Sequence, residues 1–206
     1  RLKAAIGPDT RVIGMACGDP LGRGMNSTTM MEIAGGTVYP TRWFRKLLRR
    51  IHRLRDNGAE ARIVVGGPGA WQLEAEPEHR RALGIDHVLS GYCEANVAEV
   101  FGKLTAGEDV PVVVEGENPP AEDIPRILAP TIMGGVEISR GCGLGCAFCT
   151  ISHRRMEHLS PEHILEDVRT NLRGGVRSLS LITEDLFRYG GHGAEVAPEA
   201  LIDLLE

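Results

Sequence analysis

The sequence predicts an α/β protein: an open parallel sheet first, then the opening unit of a second α/β domain. Three observations predict it. Apolar runs at residues 11–16, 62–65 and 86–90 suit buried strands, and each runs into a glycine-containing loop. Helical patterns fall between them, and strands alternating with helices argue for a parallel sheet. Beyond residue 135 a strand, a loop, a helix and a second strand follow in order, which is how a (β/α) barrel begins.

Taken in order, residues 2–6 read as the tail of a helix, and Arg11-Val12-Ile13-Gly14-Met15-Ala16 as a strand. The loop Cys17-Gly18-Asp19-Pro20-Leu21-Gly22-Arg23-Gly24 is rich in turn residues. From Thr41, Phe44, Leu47, Leu48, Ile51 and Leu54 form one apolar helical stripe that Asn57-Gly58 ends. Arg62-Ile63-Val64-Val65 is the next strand, followed by Gly66-Gly67-Pro68-Gly69. Asp86-His87-Val88-Leu89-Ser90 is the third; it leads to Gly91-Tyr92-Cys93-Glu94 and a helix from Asn96 to Leu104. Ligands of such sheets bind outside the carboxyl ends of the strands, the edge to which all three loops belong.

Residues 107–135 hold Pro111, Pro119, Pro120, Pro125 and Pro130 among acidic residues, and only Val112-Val113-Val114 looks like a strand. This stretch reads as a semi-rigid linker between a domain at 1–106 and another at 136–206. In the latter, Val136-Glu137-Ile138 is a strand. Ser160-Pro161-Glu162 is a strong helix start, with Ser as N-cap and Pro at the first helical position. Ile164, Leu165, Val168 and Leu172 give that helix its apolar face, Gly174-Gly175 ends it, and Ser178 to Ile182 forms the second strand.

The 206 residues are 42% hydrophobic and 25% charged, with a net charge of −5, as in ordinary soluble proteins. No apolar run approaches the ~20 residues that span a bilayer, so no membrane partner is expected. Cysteines without a secretory signal fit a reducing cytoplasm. Mild acidity does not support general nucleic-acid binding, so nucleic acid is not expected as a partner. The start at Arg1, and too few residues after Cys149 for a barrel of ~200 or more, suggest a fragment cut at both ends.

The chemistry concentrates in Ser139-Arg140-Gly141-Cys142-Gly143-Leu144-Gly145-Cys146-Ala147-Phe148-Cys149-Thr150. Its C-x3-C-x2-C spacing offers three thiolates from one short loop, and iron–sulfur clusters are held by thiolates, usually four. With three, one iron of a [4Fe–4S] cluster stays open to an outside ligand. Cys149-x3-His153 could instead complete a Cys3His zinc site. Structural zinc ligands, however, usually come as two separated pairs. A disulfide framework fits poorly, because three close cysteines cannot pair evenly and the total of five is odd.

This stretch resembles the radical S-adenosylmethionine (SAM) superfamily. The resemblance implies that Cys142, Cys146 and Cys149 bind three irons while SAM chelates the fourth. It further implies that an electron from the cluster cleaves SAM to a 5′-deoxyadenosyl radical, that a flavodoxin or ferredoxin supplies that electron, and that Phe148 lies near the adenine. Glu184, at the end of the second strand, stands where that family often has Gly-Gly-Glu, a carboxylate for the SAM ammonium. Here Ile182-Thr183-Glu184 replaces it. Arg140, His153, Arg154 and Arg155 could balance the charge of the cluster or of the SAM carboxylate.

Val64-Val65-Gly66-Gly67 and Gly91-x-x-Glu94 make residues 1–106 resemble the cobalamin-binding domain that often precedes radical SAM domains. The resemblance implies that Gly66 and Gly67 pass close to a corrin. The Asp-x-His-x-x-Gly signature of a cobalt-ligating histidine is absent. The leading expectation is therefore a radical SAM enzyme, in its specific form a cobalamin-dependent methyltransferase of unknown substrate. Alternatives are a methylthiotransferase-like RNA or protein modifier, suggested by Cys149-Thr150-Ile151, and a non-catalytic zinc module. The usual amino-terminal domain of methylthiotransferases supplies three more cysteines, a set that Cys17 and Cys93 do not reproduce. The cations Arg45, Lys46, Arg49, Arg50, Arg53 and Arg55 lie opposite the apolar stripe of their helix, as on any surface helix.

Overall fold

Side chains alternate across a strand, so one run of valines and isoleucines can serve two cores. In the computed structural model, which describes residues 2–24, 26–55, 60–147, 149 and 154–206, this is how the first of two compact units is built. That unit is Arg1–Asn118 and the second is Pro119–Glu206.

In the first unit a short helix α1 (Leu2–Ala5) precedes β1 (Val12–Ala16), α2 (Ser27–Ala34), α3 (Tyr39–Arg55) and β2 (Arg62–Gly66). There follow α4 (Ala70–Ala75), α5 (Pro77–Ala82), β3 (His87–Ser90), α6 (Val97–Ala106) and β4 (Val113–Glu115). The four strands form one parallel sheet in sequence order, with Ile13 opposite Ile63, Val65 opposite Val88 and Leu89 opposite Val114. Ile63, Val65 and Val88 pack with Phe44, Leu48 and Ile51 of α3 and Leu73 of α4. The alternate residues Val64 and Leu89 pack with Val100 and Leu104 of α6. Helices thus cover both faces. Gly14 lets α6 approach, since a Cβ there would lie 3.1 Å from the Phe101 ring.

The expected α/β class is what the structure has, but details differ. Leu47, expected in the buried stripe of α3, is 40% exposed, because the stripe that faces the sheet is Phe44, Leu48 and Ile51. Asn57 and Gly58, expected to end that helix, lie outside the described residues. The proline-rich stretch 107–135 is divided. Val113–Glu115 is the fourth strand of the first sheet, whereas the part from Pro119 belongs to the second unit, where Ile124 enters the core.

The second unit contains β5 (Gly135–Glu137), β6 (Ser139–Arg140), β7 (Glu157–His158), α7 (Pro161–Arg173), β8 (Ser180–Ile182) and α8 (Pro198–Leu205). β5 and β8 are parallel neighbours with Val136 opposite Leu181, so α7 is the crossover of a β–α–β unit. Its core is Val136, Ile138, Leu159, Ile164 and Tyr189. Ser160 caps α7 by accepting from the His163 amide at 3.2 Å, ahead of Pro161.

The buried face of α7 is only partly the expected one: Ile164 is in the core and Val168 packs against it. Leu165 and Leu172 are 46% and 51% exposed, while His163, Asp167 and Asn171 are buried with Ile164. Asp167 and Asn171 point inward because the preceding segment brings donors to them. The Ile127 amide donates to Asp167 at 3.1 Å, and the Thr131 amide to Asn171 at 2.9 Å. Among the described residues no helix is long and apolar enough to cross a membrane.

Candidate functional site

The cysteine loop leaves the carboxyl edge of the β5–β8 pair. The Ile138 amide donates to the Ile182 carbonyl at 3.0 Å, and the Ser139 and Thr183 hydroxyls meet at 2.5 Å, so the two strand ends are tied together. Antiparallel pairing of β6 with β7 then closes the base of the loop, with Arg140 opposite Glu157. Gly141 makes the turn at φ +74°, where a Cβ would lie 2.4 Å from the Arg155 carbonyl oxygen. A side chain is excluded there by both backbone angle and space. The Cys142 amide donates to the Arg154 carbonyl at 3.0 Å, and the Cys149 amide to the Cys146 carbonyl at 3.0 Å.

All three cysteines are half-buried, and none of the five in the chain is in a disulfide. Their donor chemistry fits an iron–sulfur cluster, since soft thiolates are its ligands. The structure brings the three residues to one loop and one sheet edge. Among the described residues it does not gather three His, Cys, Asp or Glu side chains into a metal-holding set. Phe148 and His153 lie outside the described residues.

Arg140 is buried and grips Glu137 with two parallel bonds, Nε to Oε1 at 2.9 Å and Nη2 to Oε2 at 2.8 Å. This forked pair fixes the strand end beside Cys142. Glu184 is exposed two residues beyond β8, on the same edge as the cysteine loop.

Sequence reasoning missed Arg188. It ends a short 3-10 turn, Leu186–Arg188, that Asp185 caps by accepting from the Phe187 amide at 3.2 Å. Its Nη1 donates to the Cys142 sulfur at 3.5 Å and its Nη2 to the Cys142 carbonyl at 2.8 Å; Nη2 also meets the Gly193 carbonyl. A cavity of about 270 Å³ opens there, lined by Cys142, Arg155, Met156, Arg188, His192 and Gly193. The neighbouring Tyr189 donates its hydroxyl to the Leu159 carbonyl at 2.8 Å. Burial first, then the charge of Glu162, raises the Tyr189 pKa and keeps that donor protonated. The available signal was an arginine inside the otherwise apolar run Leu186-Phe187-Arg188-Tyr189.

In the first unit the loops after β1 and β2 bond to one another. The Cys17 amide donates to the Gly66 carbonyl at 3.2 Å, and the Gly69 amide to the Cys17 carbonyl at 2.9 Å. Gly67 sits at φ +86°, where a Cβ would lie 3.1 Å from the Cys17 nitrogen. A side chain at Gly67 would therefore press on the start of the loop 17–24. Asp19 organises that loop. It accepts from the Arg23 amide at 2.8 Å and the Gln72 side chain at 2.9 Å, while its own carbonyl accepts from Thr41 at 2.7 Å. Burial pushes the Asp19 carboxyl up, but hydrogen bonds from Ser27, Gln72, Gly24 and Arg23 outweigh it and leave the pKa lowered.

An α/β chain with a three-cysteine loop at a parallel strand edge is the class that fold and site define. No protein-family profile matches the chain. Among curated proteins it is 34% identical over 122 residues to the ribosomal protein uS12 methylthiotransferase RimO of Desulfotalea psychrophila, covering 57% of this chain and 26% of that protein. It is 30% identical over 152 residues to the RimO of Opitutus terrae, covering 68% and 32%. It is 27% identical over 186 residues to the tRNA-2-methylthio-N(6)-dimethylallyladenosine synthase of a Marinomonas species, covering 88% and 39%. The last match is long enough to include parts of both units. The chain thus spans about a quarter to two-fifths of the length of these relatives.

Proposed function

We propose that the chain is the cluster-bearing part of a radical SAM enzyme of the methylthiotransferase kind. The observation that carries the reading is the C-x3-C-x2-C loop on the carboxyl edge of a parallel β–α–β unit, in a chain similar to methylthiotransferases. The relatives favour this alternative over the cobalamin-dependent methyltransferase expected from sequence. Their similarity adds no support for cobalamin at Gly66 and Gly67.

In this reading Cys142, Cys146 and Cys149 hold a [4Fe–4S] cluster and leave one iron for SAM. A cluster held there supplies the single electron that reductive cleavage of SAM requires. Glu184 would accept hydrogen bonds from the SAM ammonium, a charge-assisted contact suited to a carboxylate on this edge. Phe148 would lie against the adenine. Arg140 acts through Glu137, keeping the backbone before Cys142 in place.

The relatives' names give a transfer RNA and a ribosomal protein as targets, so the expectation against a nucleic-acid partner is withdrawn. The exposed face of α3 favours RNA as the substrate. Tyr39 and Trp43 are 70% and 42% exposed, and Lys46 lies 4.2 Å over the Trp43 ring among the exposed Arg42, Arg49 and Arg50. Exposed aromatics among cations suit bases and phosphates together. Reversing Lys46, Arg49 and Arg50 to Glu is expected to weaken RNA binding by about tenfold at low salt, measured by anisotropy. Unchanged binding removes this face from the account.

The activity test is anaerobic reconstitution with iron and sulfide, then SAM and a strong reductant. Formation of 5′-deoxyadenosine that disappears in C142A, C146A and C149A is expected. A reconstituted cluster that leaves SAM intact overturns the reading.

A further inference from the structure

We infer that Arg188 is a positioning residue for the cluster, holding Cys142 by its carbonyl and placing a positive charge on its sulfur; this rests on the cluster reading above. Arg188 is 5% exposed, and desolvating a guanidinium is costly unless an anion or a full set of acceptors meets it. Among the described residues no carboxylate pairs with it, and its Nε has no partner. Its acceptors are two carbonyls and one sulfur. The Cys142 thiolate is the one group among them that carries a negative charge when it ligates iron.

The arginine is also held in place from its own side. Asp185 caps the turn that presents it, and Tyr189 next in sequence is buried in the core with its hydroxyl on Leu159. A guanidinium fixed this way reaches Cys142 from a strand end 46 residues later. Reduction potentials of iron–sulfur clusters respond to charge and to hydrogen bonds on the cysteine sulfurs. Arg188 therefore favours the reduced, more negative state of the cluster, and its loss makes reduction harder.

The test compares the reconstituted wild-type chain with Arg188→Gln and Arg188→Lys by iron content, far-UV circular dichroism and a dye-mediated redox titration read by EPR. Arg188→Gln is expected to keep its fold, bind less iron and titrate at a more negative midpoint potential. Arg188→Lys, which keeps the charge, is expected to restore the potential toward wild type. A wild-type potential in Arg188→Gln overturns the inference and leaves the cluster reading standing. Unfolding of both variants also overturns it, by assigning Arg188 to stability alone. A wild-type chain that assembles no cluster overturns both.

Discussion

Gly141 shows how one residue can decide the geometry of the site. Its positive φ and the Arg155 carbonyl 2.4 Å from any Cβ mean that the loop turns there only with glycine. Gly141→Ala is expected to destabilise the chain by roughly 1–3 kcal/mol in urea unfolding. A loss below a few tenths would show that the turn relaxes freely. Asp19 makes a prediction of a different kind. Its folded-state pKa is lowered, so its contribution to stability is full above the unfolded carboxylate value of about 3.9 and is lost as pH falls through the lower folded value. The urea midpoint of the wild type should therefore fall more steeply than that of Asp19→Asn between about pH 4 and pH 2. Parallel curves would contradict this. At this scale the cysteines could be singled out because their spacing is local in sequence. Arg188 was not, since its link to Cys142 exists only after β8 has paired with β5. Asp19 read as one more turn residue, because the side chain that completes its contacts, Gln72, lies 53 positions away.

Helix α7 shows what an element's sequence does and does not disclose. Its start was legible, since Ser160 and Pro161 are read by neighbours within one turn. Ser160→Ala should cost about 1 kcal/mol by removing the acceptor for the His163 amide. A thermal-melt comparison checks this, and an unchanged midpoint would show that water replaces the cap. Its buried face was half read: Ile164 and Val168 face the core as expected, but Leu165 and Leu172 do not, and the segment before β5 brings donors to Asp167 and Asn171 instead. Asn171→Leu adds apolar volume but strands the Thr131 amide, so a loss of roughly 1–3 kcal/mol is expected in urea unfolding. Stabilisation would show that the apolar reading of this face was right after all. Helices α2, α4 and α5 were not anticipated: each is at most eight residues long, too short for periodicity to stand out. The parallel strands were recovered to within two residues at either end, since buried β-branched runs between glycine loops have few other uses.

For the whole molecule, the alternation of strands and helices disclosed the α/β class, and the cysteine loop carries the chemistry proposed for it. The choice among relatives was only partly legible in the residues: Cys149-Thr150-Ile151 suggested the methylthiotransferase alternative, but the glycine loops drew the leading expectation to cobalamin. Val-Val-Gly-Gly and Gly-x-x-Glu suit any parallel sheet with tight strand ends, and in this one a side chain at Gly67 would press on Cys17. Similarity to methylthiotransferases, over a quarter to two-fifths of their length, favours the methylthiotransferase alternative over the cobalamin-dependent one. The central claim is that three cysteines on one loop hold a cluster. It is tested most directly by metal and acid-labile sulfide analysis of the chain reconstituted anaerobically, beside its C142A/C146A/C149A variant. The account predicts roughly four irons and four sulfides per wild-type chain and none in the variant. One zinc per chain, or iron that survives loss of the three cysteines, would contradict it.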